Sequence, residues 1–247
     1  MEVLKIAGIK IQNLYKTYHV QEKEVPVLRG LELTLDTTCI TVILGKSGCG
    51  KTTFLRVVSG LESMDDGTIE AEKTEKMGIV FQEPRLMPWL TIWQNITFGL
   101  KRNQVRREEI VRLIEMTGLT GFEKAYPAQL SGGMQQRAAL ARVLAYDASY
   151  ILMDEPFAAL DYFTRKAMQD ELLRIWKNQE KGVLFVTHSI DEALVLGHRI
   201  LIFEDGICKK KYDLRDQPFP RNLLSAEMIE IKKDILTNIE GTEGEKQ

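Results

Sequence analysis

Two rhythms of apolar residues alternate along the chain. Runs of period two, or wholly apolar runs, predict strands; apolar residues three and four apart predict helices. Residues 9–14 and 27–35 read as strands, with a polar loop between them that carries Tyr15 and Tyr18. Ile40–Leu44 is apolar and mostly β-branched, and residues 53–58 continue beyond it as a helix. A turn at Asp65-Asp66-Gly67 leads into another strand, and Met77–Phe81 is a short apolar one ending at Gln82. The rhythm then changes, and from Thr91 to about Ala145 helical spacing dominates. Thr91 is placed to cap a helix containing Trp93, Ile96 and Phe98, and residues 106–117 form a second helix ended by Gly118. Strands return at Tyr150–Met153, Gly182–Thr187, Arg199–Phe203 and Ile207–Tyr212, the last two around Asp205-Gly206. Helices over residues 162–180 and 189–196 lie among them. Strands alternating with helices imply a mostly parallel sheet, whose ligand sits beyond the carboxyl ends of its strands.

The stretch after Leu44 carries the sharpest chemistry. Gly45-Lys46-Ser47-Gly48-Cys49-Gly50-Lys51-Thr52 joins a strand to a helix with the P-loop spacing. Glycines let the backbone turn its N–H groups onto one concave face, and the helix N-terminus adds partial positive charge. Lys51 reaches the β- and γ-phosphates, and Thr52 offers a hydroxyl to Mg²⁺. A nucleoside triphosphate is therefore the expected ligand.

Other polar residues follow strand ends in the same way. Asp154 is suited to hold Mg²⁺, and Glu155 to polarise an attacking water; a charged turn before Pro156 is the plainer reading. His188 can donate to a γ-phosphate or serve only structurally. Gln82 can ligate Mg²⁺ and orient water, or be a simple loop residue. Lys51, Gln82, Asp154, Glu155 and His188 all lie just after strand ends, which is the argument for one site. Leu130-Ser131-Gly132-Gly133 opens a helix over 134–145, either as a second phosphate cradle or as an ordinary serine cap.

Composition narrows the classes. The 247 residues are 44% hydrophobic and 28% charged, enough for one large domain or a domain with a subdomain. With 33 Lys and Arg against 35 Asp and Glu there is no basic excess, and no nucleic-acid partner is expected. Residues 1–6 lack a signal peptide's apolar core, and no run of about 18 apolar residues occurs, so no membrane span is expected. Cys39, Cys49 and Cys208 are scattered and match neither a disulfide framework nor a zinc pattern, as in a reduced cytosolic chain. Residues 237–247 read as a polar, frayed end.

The order of the phosphate loop, Gln82, Leu-Ser-Gly-Gly, hydrophobic-Asp-Glu-Pro, Ala-Leu-Asp and His188 resembles the nucleotide-binding subunit of an ABC transporter over about residues 9–212. The resemblance implies an α/β P-loop NTPase (RecA-like) core of residues 1–82 and 147–215. It further implies an N-terminal antiparallel β-subdomain, a helical subdomain at 83–146 and a C-terminal extension at 216–247. It implies ATP contacts from Tyr18, stacked on adenine, and from Gly45, Lys46, Ser47, Gly48, Cys49, Gly50, Lys51, Thr52 and Thr53. Glu155 is implied as catalytic base, His188 as the γ-phosphate switch, and Thr52, Gln82 and Asp154 around Mg²⁺. Two copies are expected to meet head to tail, so that Ser131, Gly132 and Gly133 of one copy contact the other's ATP, with Asp161 in the dimer-contacting loop. Met134 stands where the commonest family pattern has Gln, and Ala158 where Ser or Gly is frequent.

Residues 81–90, Phe-Gln-Glu-Pro-Arg-Leu-Met-Pro-Trp-Leu, are similar to the corresponding loop of importers of nitrate, aliphatic sulfonates and taurine. Gln169–Trp176 and Pro218-Phe219-Pro220-Arg221 echo the same group. Leu86, Met87 and Trp89 are then expected to receive a short helix from a membrane permease, with an extracytoplasmic solute-binding protein as an indirect partner. The chain is expected at the cytoplasmic face of the membrane, as a peripheral subunit. Alternatives are an exporter-type ABC ATPase, a non-transport ABC ATPase and a small-molecule P-loop kinase. The last leaves Leu130–Arg137 and the Glu155/His188 pair unexplained.

Overall fold

The computed structural model describes residues 8–71, 76–158, 160–179 and 181–240. The chain divides into two compact units, Met1–Thr74 with Glu180–Gln247, and Glu75–Gln179.

In the first unit β1 (Gly8–Val20) lies between β2 (Lys23–Asp36) and β4 (Asp66–Glu70), antiparallel to both. This is the antiparallel β-subdomain expected from the sequence. Ile9, Ile11 and Leu14 face its core with Leu31, Leu33 and Leu35. The polar segment with Tyr15 and Tyr18 is not a loop. It continues β1, pairing Lys16 with Leu28 and Tyr18 with Val25, and the turn falls at Gln21, whose φ is 57°. The register shifts between Ile11 and Leu14, Leu14 and Tyr15, and Lys16 and Thr17. Each irregularity resets the alternation of faces, so the strand cannot be followed by period two.

The same unit holds a second sheet. β3 (Ile40–Leu44) is central, with β7 (Gly182–Val186) and β8 (Arg199–Glu204) parallel to it on either side. β9 (Ile207–Asp213) returns antiparallel to β8. Every residue of β3 and β7 is buried, as a strand covered on both faces requires. α1 (Lys51–Val58) and α6 (Ile190–Leu196) follow β3 and β7. A last helix, α7 (Ala226–Glu240), includes residues 237–240, where the sequence predicts the frayed end to begin; the rest of that stretch, 241–247, lies outside the described residues. The helix buries Met228 and Ile235, and its Asp234 accepts from Lys210 Nζ at 2.6 Å and Tyr212 Oη at 2.7 Å.

The Pro218–Arg221 motif closes this end of the unit. Arg221 donates to the carbonyls of Leu194, Gly197 and Leu214, and its guanidinium lies 4.2 Å from the centre of the Phe219 ring. His198, 5% exposed, accepts from the Ile40 N–H at 3.1 Å through Nδ1. Burial, and then the Arg221 charge, push its pKa down to about 4. The folded state therefore keeps this imidazole neutral while the unfolded chain binds a proton from about pH 6.5. Its contribution to stability is intact above pH 6.5 and falls as the pH drops to about 4, by about 3 kcal/mol in all. In urea titrations across that range, His198→Asn is expected to flatten the loss of stability; an unchanged slope would show that this histidine does not carry it.

In the second unit β5 (Met77–Val80) runs parallel to β6 (Tyr150–Asp154). α2 (Ile92–Ile96), α3 (Arg107–Met116) and α4 (Gly132–Ala145) enclose a core that includes Ile92, Ile96, Ile110, Ile114 and Ala138. Gly78 permits the close approach of α4, since a Cβ there would stand 3.0 Å from that of Ala148 and closer still to Val143. Thr91 and Gln94 form a reciprocal capping box on α2. Phe98 is expected within that helix from the sequence but lies beyond it, half exposed. α5 (Tyr162–Gln179) completes the unit.

Candidate functional site

The phosphate loop is held from three directions within the first unit. Gly45 has no room for a side chain against Phe203 O and Cys49 Sγ. Gly48 and Gly50 take φ of 82° and 100°, and a Cβ on Gly50 would stand 2.9 Å from Val27 O. Only glycine meets both demands at Gly50. Gly50 is the N-cap of α1 and brings no side chain of its own, so the helix opens on backbone. Lys51 is 6% exposed, and its Nζ donates to Gly45 O at 2.8 Å and Lys46 O at 2.9 Å. The ammonium thus sits inside the loop, among the turned backbone groups that suit anionic oxygens. Lys46, Ser47, Gly48 and Thr52 are exposed, Thr53 is half-buried, and burial pushes the Cys49 thiol pKa up.

His188 emerges beside this loop in the same sheet. Ile43 pairs with Val186, so the turns after β3 and β7 leave one edge. His188 is exposed between two anchored neighbours. Thr187 Oγ1 donates to the Glu192 carboxylate and accepts from Ser189 N, and Ser189 Oγ caps α6 through Glu192 N.

In the second unit Gln82 and the Asp154-Glu155 pair likewise leave neighbouring strands at one end, because Val80 pairs with Met153. Asp154, the last residue of β6, is buried. Glu155 is half-buried, with φ at 45°. Gln82 is exposed, and Gln136 Nε2 fixes the strand exit by donating to Phe81 O at 2.9 Å.

Ser131 caps α4, accepting from Met134 N at 3.3 Å. The serine-cap reading is therefore correct locally, and it leaves Ser131 and Gly132 exposed at the helix start. Gly133 lies against Leu160, whose Cδ2 would be 3.1 Å from a Cβ there. Asp161 accepts from the N–H groups of Phe163 and Thr164 at 3.0 and 3.1 Å, capping α5. Thr164's hydrogen bonds hold its carboxyl below the usual range.

The loop after Gln82 is built by two residues that sequence reasoning missed. Asn95 is wholly buried; it accepts from Met87 N at 2.8 Å and donates to the carbonyls of Met87, Leu90 and Thr91. Arg142 donates to Arg85 O and Pro84 O. A polar residue on the apolar face of α2 was the only signal for Asn95. Of the three expected docking residues, Leu86 packs against the helical core, Met87 is half-buried and Trp89 is 70% exposed.

A family model described as ABC transporter matches residues 28–158. The chain belongs to this family. It is 43% identical to an uncharacterized ABC transporter ATP-binding protein of Methanocaldococcus jannaschii, over 92% of this chain and 90% of that one. It is 38% identical to the aliphatic sulfonates import ATP-binding protein SsuB of Bacillus cereus, over 94% of this chain and 96% of the relative. Among solved structures, it is similar to a dimeric ATP-binding cassette in a post-hydrolysis state bound to ADP and Pi. There the TM-score is 0.77 and the identity 31%, over 84% of this chain and 99% of that one. The chain is an ABC-type ATPase with an α/β P-loop fold. Among the described residues, no helix is long and apolar enough to cross a membrane.

Proposed function

We propose that this ATPase energises the uptake of an aliphatic sulfonate or a related small anion through membrane permease subunits. What carries the reading is the likeness, at 38–40% identity over most of both chains, to proteins named as aliphatic sulfonate import ATPases. The exposed Trp89 on a braced loop supports a docking point for a permease, together with Leu86 and Met87. The protein is then a peripheral subunit at the cytoplasmic face, with a solute-binding protein as an indirect partner.

Two copies sandwich ATP head to tail, each phosphate loop facing Ser131–Gly133 of the other copy. Tyr18 stacks on adenine, and the loop from Gly45 to Thr53 holds the phosphates. Glu155 takes the proton of the attacking water as it moves in line on the γ-phosphate, and His188 donates to that phosphate. Asp161 lies in the dimer contact. Among the described residues, no three His, Cys, Asp or Glu side chains cluster to hold a metal. The donors in this reading, a hydroxyl at Thr52, the amide of Gln82 and the carboxylate of Asp154, are oxygens that suit Mg²⁺ completed by phosphate and water. Mg²⁺ would be held there and would neutralise charge developing on the phosphates.

Deleting the gene should abolish growth on an alkanesulfonate as sole sulfur source and leave growth on sulfate intact. Normal growth on every alkanesulfonate offered would remove the sulfonate reading, and secretion defects would favour an exporter.

A further inference from the structure

Lys16 is an unusual lysine. It is 7% exposed, and burying an ammonium is costly unless partners surround it. Its Nζ lies 3.3 Å from Asp65 Oδ1, 3.3 Å from Glu62 Oε1 and 3.5 Å from Ser63 Oγ. It also lies 5.4 Å from the centre of the Tyr18 ring, two residues along β1. The turn that binds Lys16 grips its neighbours as well. Thr17 N donates to Asp65 Oδ2 at 2.6 Å, and Asp65 N donates to Tyr15 O at 2.9 Å.

That turn is the direct continuation of α1. Leu61 N and Glu62 N both donate to Arg56 O, in the last turn of the helix that begins at Lys51. The connection also closes on the opposite side. β2 presents Leu28 opposite Lys16 and Val25 opposite Tyr18, and its Val27 carbonyl is the group that abuts Gly50. The Tyr18 ring and the phosphate loop are thus tied at both ends of α1.

We propose that Lys16 is a positioning residue that fixes the Tyr18 ring relative to the phosphate loop and so sets the reach between the base and phosphate subsites. This rests on the reading that Tyr18 stacks on adenine. The ammonium attracts the ring's π-face and ties it, through Glu62 and Asp65, to the helix behind the phosphates. A neutral side chain of similar length fills the space but leaves the ring free to turn. The effect falls on the base alone, because Lys16 touches none of the phosphate-binding backbone.

The test compares binding of ATP with binding of inorganic tripolyphosphate, which has no base, both with Mg²⁺. Lys16→Met should weaken ATP about three- to ten-fold and leave tripolyphosphate unchanged. Lys16→Arg should restore most of the loss. In a Tyr18→Ala background, Lys16→Met should add nothing. Asp65→Asn, which weakens the clamp from its exposed side, should shift the ratio in the same direction and serves if Lys16→Met does not fold. Equal weakening of both ligands, or of neither, would overturn the proposal. If Tyr18→Ala lowers the ratio and Lys16→Met does not, the proposal alone fails. If Tyr18→Ala leaves the ratio unchanged, the Tyr18 reading fails and the proposal with it.

Discussion

Lys51→Ala should weaken ATP binding by at least about a hundred-fold while the fold survives. The ammonium is buried within the loop, on the carbonyls of Gly45 and Lys46. Solvent cannot supply an equivalent charge in that slot, and a charge-assisted hydrogen bond to phosphate is worth about 1.5–3 kcal/mol. Two such bonds, to the β- and γ-phosphates as proposed for Lys51, would account for the loss. Neither the strand before the loop nor the helix after it depends on the side chain. Phe54 N still finds Gly50 O, and Val57 and Val58 stay buried. Calorimetric titration with ATP checks this; binding within three-fold of the native protein would mean that the loop backbone alone holds the nucleotide. The same variant should fail to dimerise with ATP, because in the proposed sandwich the nucleotide bridges the two copies.

Glu155→Gln should slow hydrolysis by about 10²- to 10⁴-fold and leave ATP affinity unchanged. The amide has the size of the carboxylate and cannot take a proton from water. Substitution keeps the backbone at φ 45°, and Asp154 before it remains buried at the end of β6. Loss of rate with full affinity identifies a group that acts only in the transition state. Phosphate release at half the native rate or more would place the base elsewhere.

What could be read from the sequence was what lies contiguous in it. The strand, glycine loop and helix around Lys51 are one stretch of chain, and the cap at Ser131 and the pair at the end of β6 are equally local. Such candidates show in residue order because the turn itself places the groups. The misread parts depend on partners far along the chain. Tyr15 and Tyr18 belong to a strand only because β2 pairs with it, and the register shifts hide the alternation that would reveal it. Lys16 draws no attention in the sequence, because Asp65, which lies beside it, is 49 positions away. Arg142 braces a carbonyl 58 positions earlier in the same manner. The α7 helix has its own apolar face at Met228 and Ile235, yet its polar C-terminal residues suggested fraying. The contact of Asp234 with β9 holds it.

In the proposed head-to-tail sandwich each site depends on two copies. The mass of the Glu155→Gln protein in solution, by light scattering with and without Mg²⁺ and ATP, tests this most directly. The account predicts one chain without nucleotide and two with ATP, and a return to one chain when Ser131→Arg is added to the same protein. A Glu155→Gln protein that binds ATP and remains a single chain at saturating nucleotide would contradict it.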